Sequence, residues 1–498
     1  MESPVVSSAE MRAAEETAFS RGHAVEVLMD EAAAGIARTV GRFFPKPGRC
    51  LVFAGKGNNA GDALAAAELL HTDGWEIDLQ LAFPKADLGE LARKKLTSLR
   101  EALQRRRDFS ATKPESRPVI LDGLLGLGAT PPLREPIRTF CRKVNQLRGA
   151  QNAFVFAIDL PSGLDGDSGN ADDDCIISDV TVAIGFAKRG LLADRALNAV
   201  GRLEVIELSQ LRRPAEDRRE ETVATAAALR HLLPPREFGA YKNQFGRIGI
   251  VAGSQGFTGA AVLCTLGALR AGGGLVELFV PEQIYQMVAG NAPPEAMVKP
   301  VTSYAGLLRE KIDVWAIGPG LGRDAATEVL ELICEAEQPM VIDADGLNIL
   351  SGDMAVLAHS AGPRLLTPHP GEMKRLFPAG NGSRAEITRR FCHEHGATLL
   401  LKGSRTIVAG RDDPISYNTT GHPGMATGGM GDVLTGVCAA LIAHKLRPYD
   451  AARLGAWVCG RAAEIAIFHG NASQESLLPS DVAANLGLAF DDLRNVHK

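Results

Sequence analysis

Between Gly421 and Thr435 the chain reads Gly-His-Pro-Gly-Met-Ala-Thr-Gly-Gly-Met-Gly-Asp-Val-Leu-Thr. Glycines crowd up to one acid, Asp432, and an apolar run from Val433 to Ala443 follows at once. This is the pattern of a helix N-terminus that receives an anion. Glycine lets another backbone or a ligand approach closely, and the first-turn N–H groups have no partner within the helix. A carboxylate among those amides opposes a phosphate, which suits it instead to taking a proton from a nearby hydroxyl. The plainer alternative is that Asp432 only caps the helix.

Similar loops recur along the chain, each behind an apolar segment. In the first half they are Gly55-Lys-Gly-Asn-Asn-Ala-Gly-Asp62, the segment Asp122-Gly-Leu-Leu-Gly-Leu-Gly-Ala-Thr-Pro-Pro132, and Asp159-Leu-Pro-Ser-Gly-Leu-Asp165. Taken singly, each is ordinary turn chemistry with an acid near the next helix. Taken together they should converge, because open α/β sheets bind ligands at the C-terminal ends of their strands. Asn59, Asp122 and Ser162 offer the hard oxygen atoms that alkali and alkaline-earth cations take. Asp159, at the end of an apolar strand and so partly desolvated, is the candidate for proton transfer.

The second half carries Gly253-Ser-Gln-Gly-Phe-Thr-Gly-Ala-Ala261, then Gly318-Pro-Gly-Leu-Gly322, Asp343-Ala-Asp345, Thr367-Pro-His-Pro-Gly-Glu372 and Lys402-Gly-Ser404. His369 between two prolines is first a structural residue, since proline fixes the loop whatever the histidine does. Lys402 beside a glycine is ordinarily a solvated side chain. A polar, glycine-bearing loop after nearly every strand is less ordinary, and it points to a second crevice.

The elements that must position these loops are legible from periodicity. An alanine-rich helical stretch over Ala9–Val40 is followed by strands at Cys50–Ala54, Ile77–Phe83, Val119–Leu121, Ala153–Ile158, Val180–Ile184 and Leu203–Leu208. Helices fall at Asp62–His71, Leu88–Arg106 and Pro136–Arg148. Second-half strands fall at Ile248–Val251, Val276–Val280, Val314–Ile317, Met340–Ile342, Leu365–Leu366 and Thr398–Leu401, with helices between most of them. Short, continuously apolar strands alternating with helices predict an α/β protein with mostly parallel sheets covered on both faces. Residues 212–221 are charge-dense and poor in apolar side chains, so they predict a linker between domains at 1–211 and 222–498. At 498 residues two domains are the default.

Composition narrows the function classes. A net charge of −5 gives no reason to expect nucleic acid or an anionic membrane as partner. No stretch is long and apolar enough to span a bilayer, and Met1 to Ala9 lacks the basic start and apolar run of a signal peptide. The eight cysteines are scattered without a Cys-x-x-Cys pair, which fits reduced, mostly buried thiols in a cytoplasmic protein.

The motifs also carry a resemblance. Asn-Asn-x-Gly-Asp, Asp-x-Leu-Leu-Gly and Asp-x-Pro-Ser-Gly-Leu-Asp resemble the NAD(P)H-hydrate epimerases. That likeness implies a Rossmann-like three-layer first domain. It also implies substrate contacts at Asn58, Asn59, Ala60, Gly61 and Asp62, at Gly126, Leu127, Gly128, Ala129, Thr130, Pro131 and Pro132, and at Asp159. Potassium ligands fall on Asn59, Asp122 and Ser162. Ala60 stands where the family usually has a further glycine.

The second half resembles the ribokinase-like superfamily. Within it, Gly-Phe-Thr-Gly-Ala-Ala, Gly-Pro-Gly-Leu-Gly, Thr-Pro-His-Pro-Gly-Glu and the stretch ending in Gly-Gly-x-Gly-Asp are similar to ADP-dependent NAD(P)H-hydrate dehydratase. The likeness places hydrate contacts at Ala260 or Ala261, Gly322, His369 and Asp432, and ADP contacts at Lys402, Gly403, Ser404, Arg405, Thr406 and Gly431. Met430 stands where that family commonly has serine.

The two resemblances imply an isomerase fused to a lyase that repairs nicotinamide nucleotides. NADH and NADPH hydrated at C6 of the ring form R and S epimers; the first domain interconverts them and the second dehydrates the S form. ADP is the phosphoryl donor, with Mg²⁺ at the dehydratase and K⁺ at the epimerase. The expected assembly is a homo-oligomer. The competing reading is a small-molecule kinase of the same superfamily fused to a non-catalytic nucleotide-binding module.

Overall fold

The computed structural model describes residues 3–105, 117–211, 220–378 and 382–495. They fall into two compact units, one from Ser3 to Leu211 and the other from Glu220 onward. Most of the linker expected over 212–221 lies outside the described residues. Its last residue does not behave as linker: Glu221 opens strand Glu221–Ala224, parallel to Ile415–Asn418. Thr222, Val223 and Ala224 are buried, which offsets the charge that precedes them.

In the first unit, strand Arg49–Ala54 is buried from Cys50 onward, as a sheet covered on both faces requires. Glu76–Leu81 pairs on one side of it and Val119–Gly123 on the other; Phe154–Ile158, Val180–Ile184 and Arg202–Ile206 continue outward, completing a six-stranded parallel sheet. The chain therefore builds away from its first long strand in one direction and then in the other. Right-handed crossovers then put helices on both faces, and a crevice opens where the order reverses, between Arg49–Ala54 and Val119–Gly123. The helical stretch expected over Ala9–Val40 is two helices, Ser8–Ser20 and Val25–Phe43. Gly22, at φ 87°, turns the chain between them.

The second unit repeats this logic with different connections. Met297–Val301, Leu275–Pro281, Arg247–Val251, Val314–Ile317, Met340–Ile342, Arg364–Leu366 and Thr398–Leu401 lie side by side in that order, all parallel. Ile407–Ala409 and Ile415–Asn418 follow as antiparallel additions. Here the order reverses between Arg247–Val251 and Val314–Ile317. The eight cysteines are unpaired and, Cys334 excepted, buried. Among the described residues, no helix is long and apolar enough to cross a membrane.

One contact fixes the second crevice. Helices Thr258–Arg270 and Met430–Ala443 are apolar nearly all round and lie backbone against backbone. A Cβ on Gly436 would sit 1.9 Å from the Cys264 carbonyl oxygen, and one on Gly267 would sit 2.3 Å from that of Val433. By contrast Gly41, exposed on helix Val25–Phe43, has nothing within 4 Å of the same position. Gly436→Ala is therefore expected to destabilise the second unit by about 3 kcal/mol or more, because a backbone carbonyl cannot rotate aside. Gly41→Ala is expected to stabilise the first by about 0.5–1 kcal/mol through helix propensity alone. Urea unfolding of the two variants checks both signs.

Candidate active sites

In the first unit the reversal brings two strand ends together, with Gly55 N–H donating to the Gly123 carbonyl at 3.0 Å. Helix Asn58–Thr72 starts immediately, so Asn58 to Asp62 form its first turn rather than a loop. Asn59, Ala60 and Gly61 are buried and Asp62 is half-buried. The Gly126–Pro132 loop lies over this turn: a Cβ on Gly126 would come within 3.2 Å of the Asn59 Cβ.

The three residues expected to hold a cation do meet. Asp122, fully buried, accepts from the Ser162 hydroxyl at 2.7 Å, the Ser162 N–H at 2.8 Å and the Leu124 N–H at 3.2 Å. Asn59 donates its amide to the Leu125 carbonyl at 2.7 Å, which leaves its Oδ1 buried with no hydrogen-bond partner. Burial pushes the Asp122 carboxyl up to about 6, against the pull of its hydrogen bonds. A buried anion beside an orphaned carbonyl oxygen is a pair of groups that a cation would satisfy.

Asp159 closes the crevice from the third loop. It is 8% exposed and holds φ 65°, a left-handed conformation that a non-glycine residue adopts only when its surroundings impose it. Its carboxylate is in contact with the Lys188 ammonium, which also donates to the Ile184 carbonyl at 2.9 Å. Lys188 is 0% exposed. Two further carboxyls face this pair, Glu15 from helix Ser8–Ser20 and Asp62. Burial raises both, Asp159 raises both further, and Lys188 opposes. Lys188 and Glu15 were not among the residues expected from sequence; a lysine two residues behind Phe186 and next to Arg189 reads as surface charge.

In the second unit, Gly318 N–H donates to the Val251 carbonyl at 3.0 Å and Gly253 N–H to the Pro319 carbonyl at 2.9 Å, so the two glycine loops are tied at the reversal. Gly320 and Gly322 hold φ 59° and 74°. The Gly322 N–H donates to Asp345 at 2.9 Å. Ala260 is half-buried beside Gly320, whereas Ala261 is 0% exposed and part of the core. Of the two alanines, only Ala260 is exposed in part.

Asp432 is not the helix cap. Gly429 holds that place at φ 91°, and Asp432 lies three residues on, in the first turn, with no side-chain capping hydrogen bond at the helix start. Behind it Asp343, 1% exposed, accepts from Lys402 Nζ at 2.6 Å and from the Thr435 hydroxyl at 2.8 Å. A Cβ on Gly431 would stand 3.1 Å from Lys402 Nζ, so glycine there admits the lysine to the helix N-terminus. Burial first, and Asp343 second, push the Asp432 carboxyl up to about 7, with Lys402 opposing. A base near the working pH is the one best placed to take a hydroxyl proton.

His369 does cap a helix: its Nδ1 accepts from the Gly371 and Glu372 N–H groups at 2.9 and 3.3 Å, which leaves Nε2 as the donor. Lys402 opens a loop reaching Thr406, in which Gly403 and Arg405 hold positive φ. A cavity of about 610 Å³ bounded by Arg236, Gly272, His444 and Phe490 lies at the other end of the helices and touches none of these residues.

Known proteins match both units. The family model described as NAD(P)H-hydrate dehydratase matches residues 248–484, and that described as YjeF-related protein N-terminus matches residues 25–190. The bifunctional NAD(P)H-hydrate repair enzyme Nnr of Moorella thermoacetica is 37% identical over 473 residues, covering 88% of this chain and 87% of that protein. Its namesake in Gloeobacter violaceus is 36% identical over 478 residues, covering 92% and 93%. The chain belongs to the bifunctional NAD(P)H-hydrate repair enzymes. A ribokinase-like superfamily protein of Enterococcus faecalis, 25% identical with a TM-score of 0.50, covers 56% of this chain and 99% of itself. The second unit of the repair enzyme thus has the ribokinase-like fold.

The raised Asp432 carboxyl has a consequence for stability. A carboxyl whose folded pKa lies above its unfolded value favours folding below the unfolded value, and that contribution is lost as pH rises through about 7. Asp432→Asn is expected to stabilise the repair enzyme at pH 8 by on the order of 2–4 kcal/mol. The gain should shrink as pH falls toward 5, which urea unfolding followed by tryptophan fluorescence at both pH values would show.

Proposed function

We propose that the first unit interconverts the R and S C6-hydrates of NADH and NADPH and that the second dehydrates the S form, using ADP and releasing AMP and phosphate. One observation carries this reading. Each crevice holds a strand-end aspartate buried against a lysine, beside a second carboxyl that burial raises above the ordinary carboxylate range. Such a site can both take and give protons.

In the second unit, Asp432 takes the proton of the C6 hydroxyl as its oxygen attacks the β-phosphorus of ADP. The bond to the AMP oxygen breaks, and AMP leaves. The N–H groups of Gly428 to Gly431 and Lys402 receive the charge of the moving phosphoryl. Hydroxide is a poor leaving group and phosphate a good one, so the ring nitrogen then expels phosphate. Loss of the C5 proton restores the dihydropyridine. Ala260, Gly322 and His369 Nε2 border the hydrate, and Lys402 to Thr406 with Gly431 border the nucleotide.

Mg²⁺, when bound, neutralises diphosphate charge. The described residues contain no cluster of three His, Cys, Asp or Glu to cage it, so the site fits a metal carried on the phosphates. In the first unit Asn59, Asp122 and Ser162 would hold K⁺, which ties the Gly126–Pro132 loop to the helix start. Asp159 works on the hydrate there. We place the protein in the cytoplasm, as a homo-oligomer.

Asp432→Asn should lower ADP-dependent consumption of the S hydrate by about 10²–10⁴-fold, while Asp159→Ala should stop consumption of the R hydrate alone. Absorbance of the restored dihydropyridine reads both; a comparable loss of both activities in either variant would refute the assignment. A kinase of the same superfamily would instead accumulate a stable phosphorylated product. Replacing potassium by lithium should weaken R-hydrate turnover severalfold without touching the S-hydrate rate. Indifference to the cation would remove the potassium site.

A further inference from the structure

Two carboxyls of the first crevice lie within electrostatic reach of each other, Asp62 from the start of helix Asn58–Thr72 and Asp159 from the end of strand Phe154–Ile158. By residue type they are interchangeable, so something must decide which is acid and which is base. The ion pair decides it. Lys188, wholly buried, is in contact with Asp159 and supplies the counter-charge for that carboxylate. Asp62 has only half-buried surroundings, and no hydrogen bond is directed at its carboxyl among the described residues. Glu15 stands on the same side and adds a third carboxyl, itself offset in part by Arg12.

We propose that Asp62 is the general acid and Asp159 the general base of the epimerisation, with Lys188 the positioning residue that fixes this assignment. The proposal rests on the epimerase reading of the first unit.

The step it describes balances without any added reagent. Asp159 takes the proton of the C6 hydroxyl, the C6–N1 bond breaks with its electron pair moving to N1, and Asp62 delivers its proton there. The product is a ring-opened aldehyde bearing an N1–H. Rotation about the C5–C6 bond presents the opposite carbonyl face. Attack by N1 then returns one proton to Asp62, and Asp159 returns the other to the new hydroxyl. No atom is gained or lost, and both carboxyls end as they began. Burial first, and the Asp159 charge second, raise the Asp62 carboxyl above its ordinary range, which favours the protonated form an acid needs. The dehydratase crevice has the same plan, with Asp432 beside the Asp343–Lys402 pair.

The experiment uses the full chain with saturating K⁺ and ADP, and follows the R and S hydrates of NADH separately from pH 5 to 9. The intact chain should lose R-hydrate rate on the alkaline side as Asp62 gives up its proton. Asp62→Asn should lower kcat for the R hydrate by about a hundredfold with little change in KM, and abolish that alkaline fall. Asp62→Glu should recover part of the rate together with the fall. Lys188→Met, which removes the cation in contact with Asp159, should lower kcat for the R hydrate at least tenfold with little change in KM, and Lys188→Arg should recover part of it. The S-hydrate rate should stay unchanged in all four. An Asp62→Asn variant within twofold of the parent, or one altered only in KM, overturns the proposal while leaving the epimerase reading intact. Failure of the intact chain to consume the R hydrate, or full activity in Asp159→Ala, overturns the reading itself.

Discussion

Putting a charge in a protein interior is so unfavourable that it persists only with a partner in contact. Both crevices of this repair enzyme are organised by that constraint. Asp159 is held by Lys188 and Asp343 by Lys402, each aspartate standing where a parallel strand stops. Once such a pair is in place, any other carboxyl within reach feels an environment that is dry and already occupied by negative charge. Asp62 and Asp432 are those carboxyls: their own burial raises them first, and the paired aspartates raise them further. The lysines limit the effect, since without them the second charge would be harder still to accommodate.

The sheets supply the location. In each unit the strand order reverses once among the parallel strands, and the two loops that flank the reversal are joined by backbone hydrogen bonds, Gly55 to Gly123 in one and Gly253 to Pro319 in the other. A loop with a side chain at these places would not close. A Cβ on Gly55 would stand 2.0 Å from the Leu124 carbonyl oxygen, and one on Gly318 would stand 1.9 Å from that of Asp343. Glycine at these strand ends is therefore a condition for having a crevice at all, before any ligand is considered.

Much of this was legible in the sequence, and the reasons for the rest are physical. Continuous apolar runs marked the central strands, and Val314–Ile317, Met340–Ile342 and Thr398–Leu401 have the bounds read from them. Met297–Val301 escaped because Pro300 and Lys299 interrupt it, which an edge strand tolerates and a central one does not. Ile407–Ala409 and Ile415–Asn418 are too short to show a period. The strand-end acids were visible because aspartate after an apolar run is conspicuous. Lys188 was not, and Lys402 was named as a nucleotide contact rather than as the partner of Asp343, since nothing in one dimension distinguishes a buried ammonium from a solvated one. Lys188 lies 29 residues from its aspartate and Lys402 lies 59 from its own. Proximity alone also could not separate Ala260 from Ala261, whose difference is the 100° turn between successive helical positions.

The backbone contact through Gly267 and Gly436 has a mechanical consequence. Two helices that touch without intervening side chains have no layer of rotamers between them to absorb a sliding motion. The start of helix Met430–Ala443 is thus packed directly on the helix that carries Ala260, a contact that resists any shift of Asp432 relative to that rim. Any closure over a substrate would fall instead to the loop at Gly403 to Arg405, both of which hold positive φ, since the loop at Gly320 to Gly322 is itself tied down by hydrogen bonds to Gly253, Ser254 and Asp345. The site is built on a fixed anvil, so changes in what it accepts should come from the loop beside it rather than from the helices beneath.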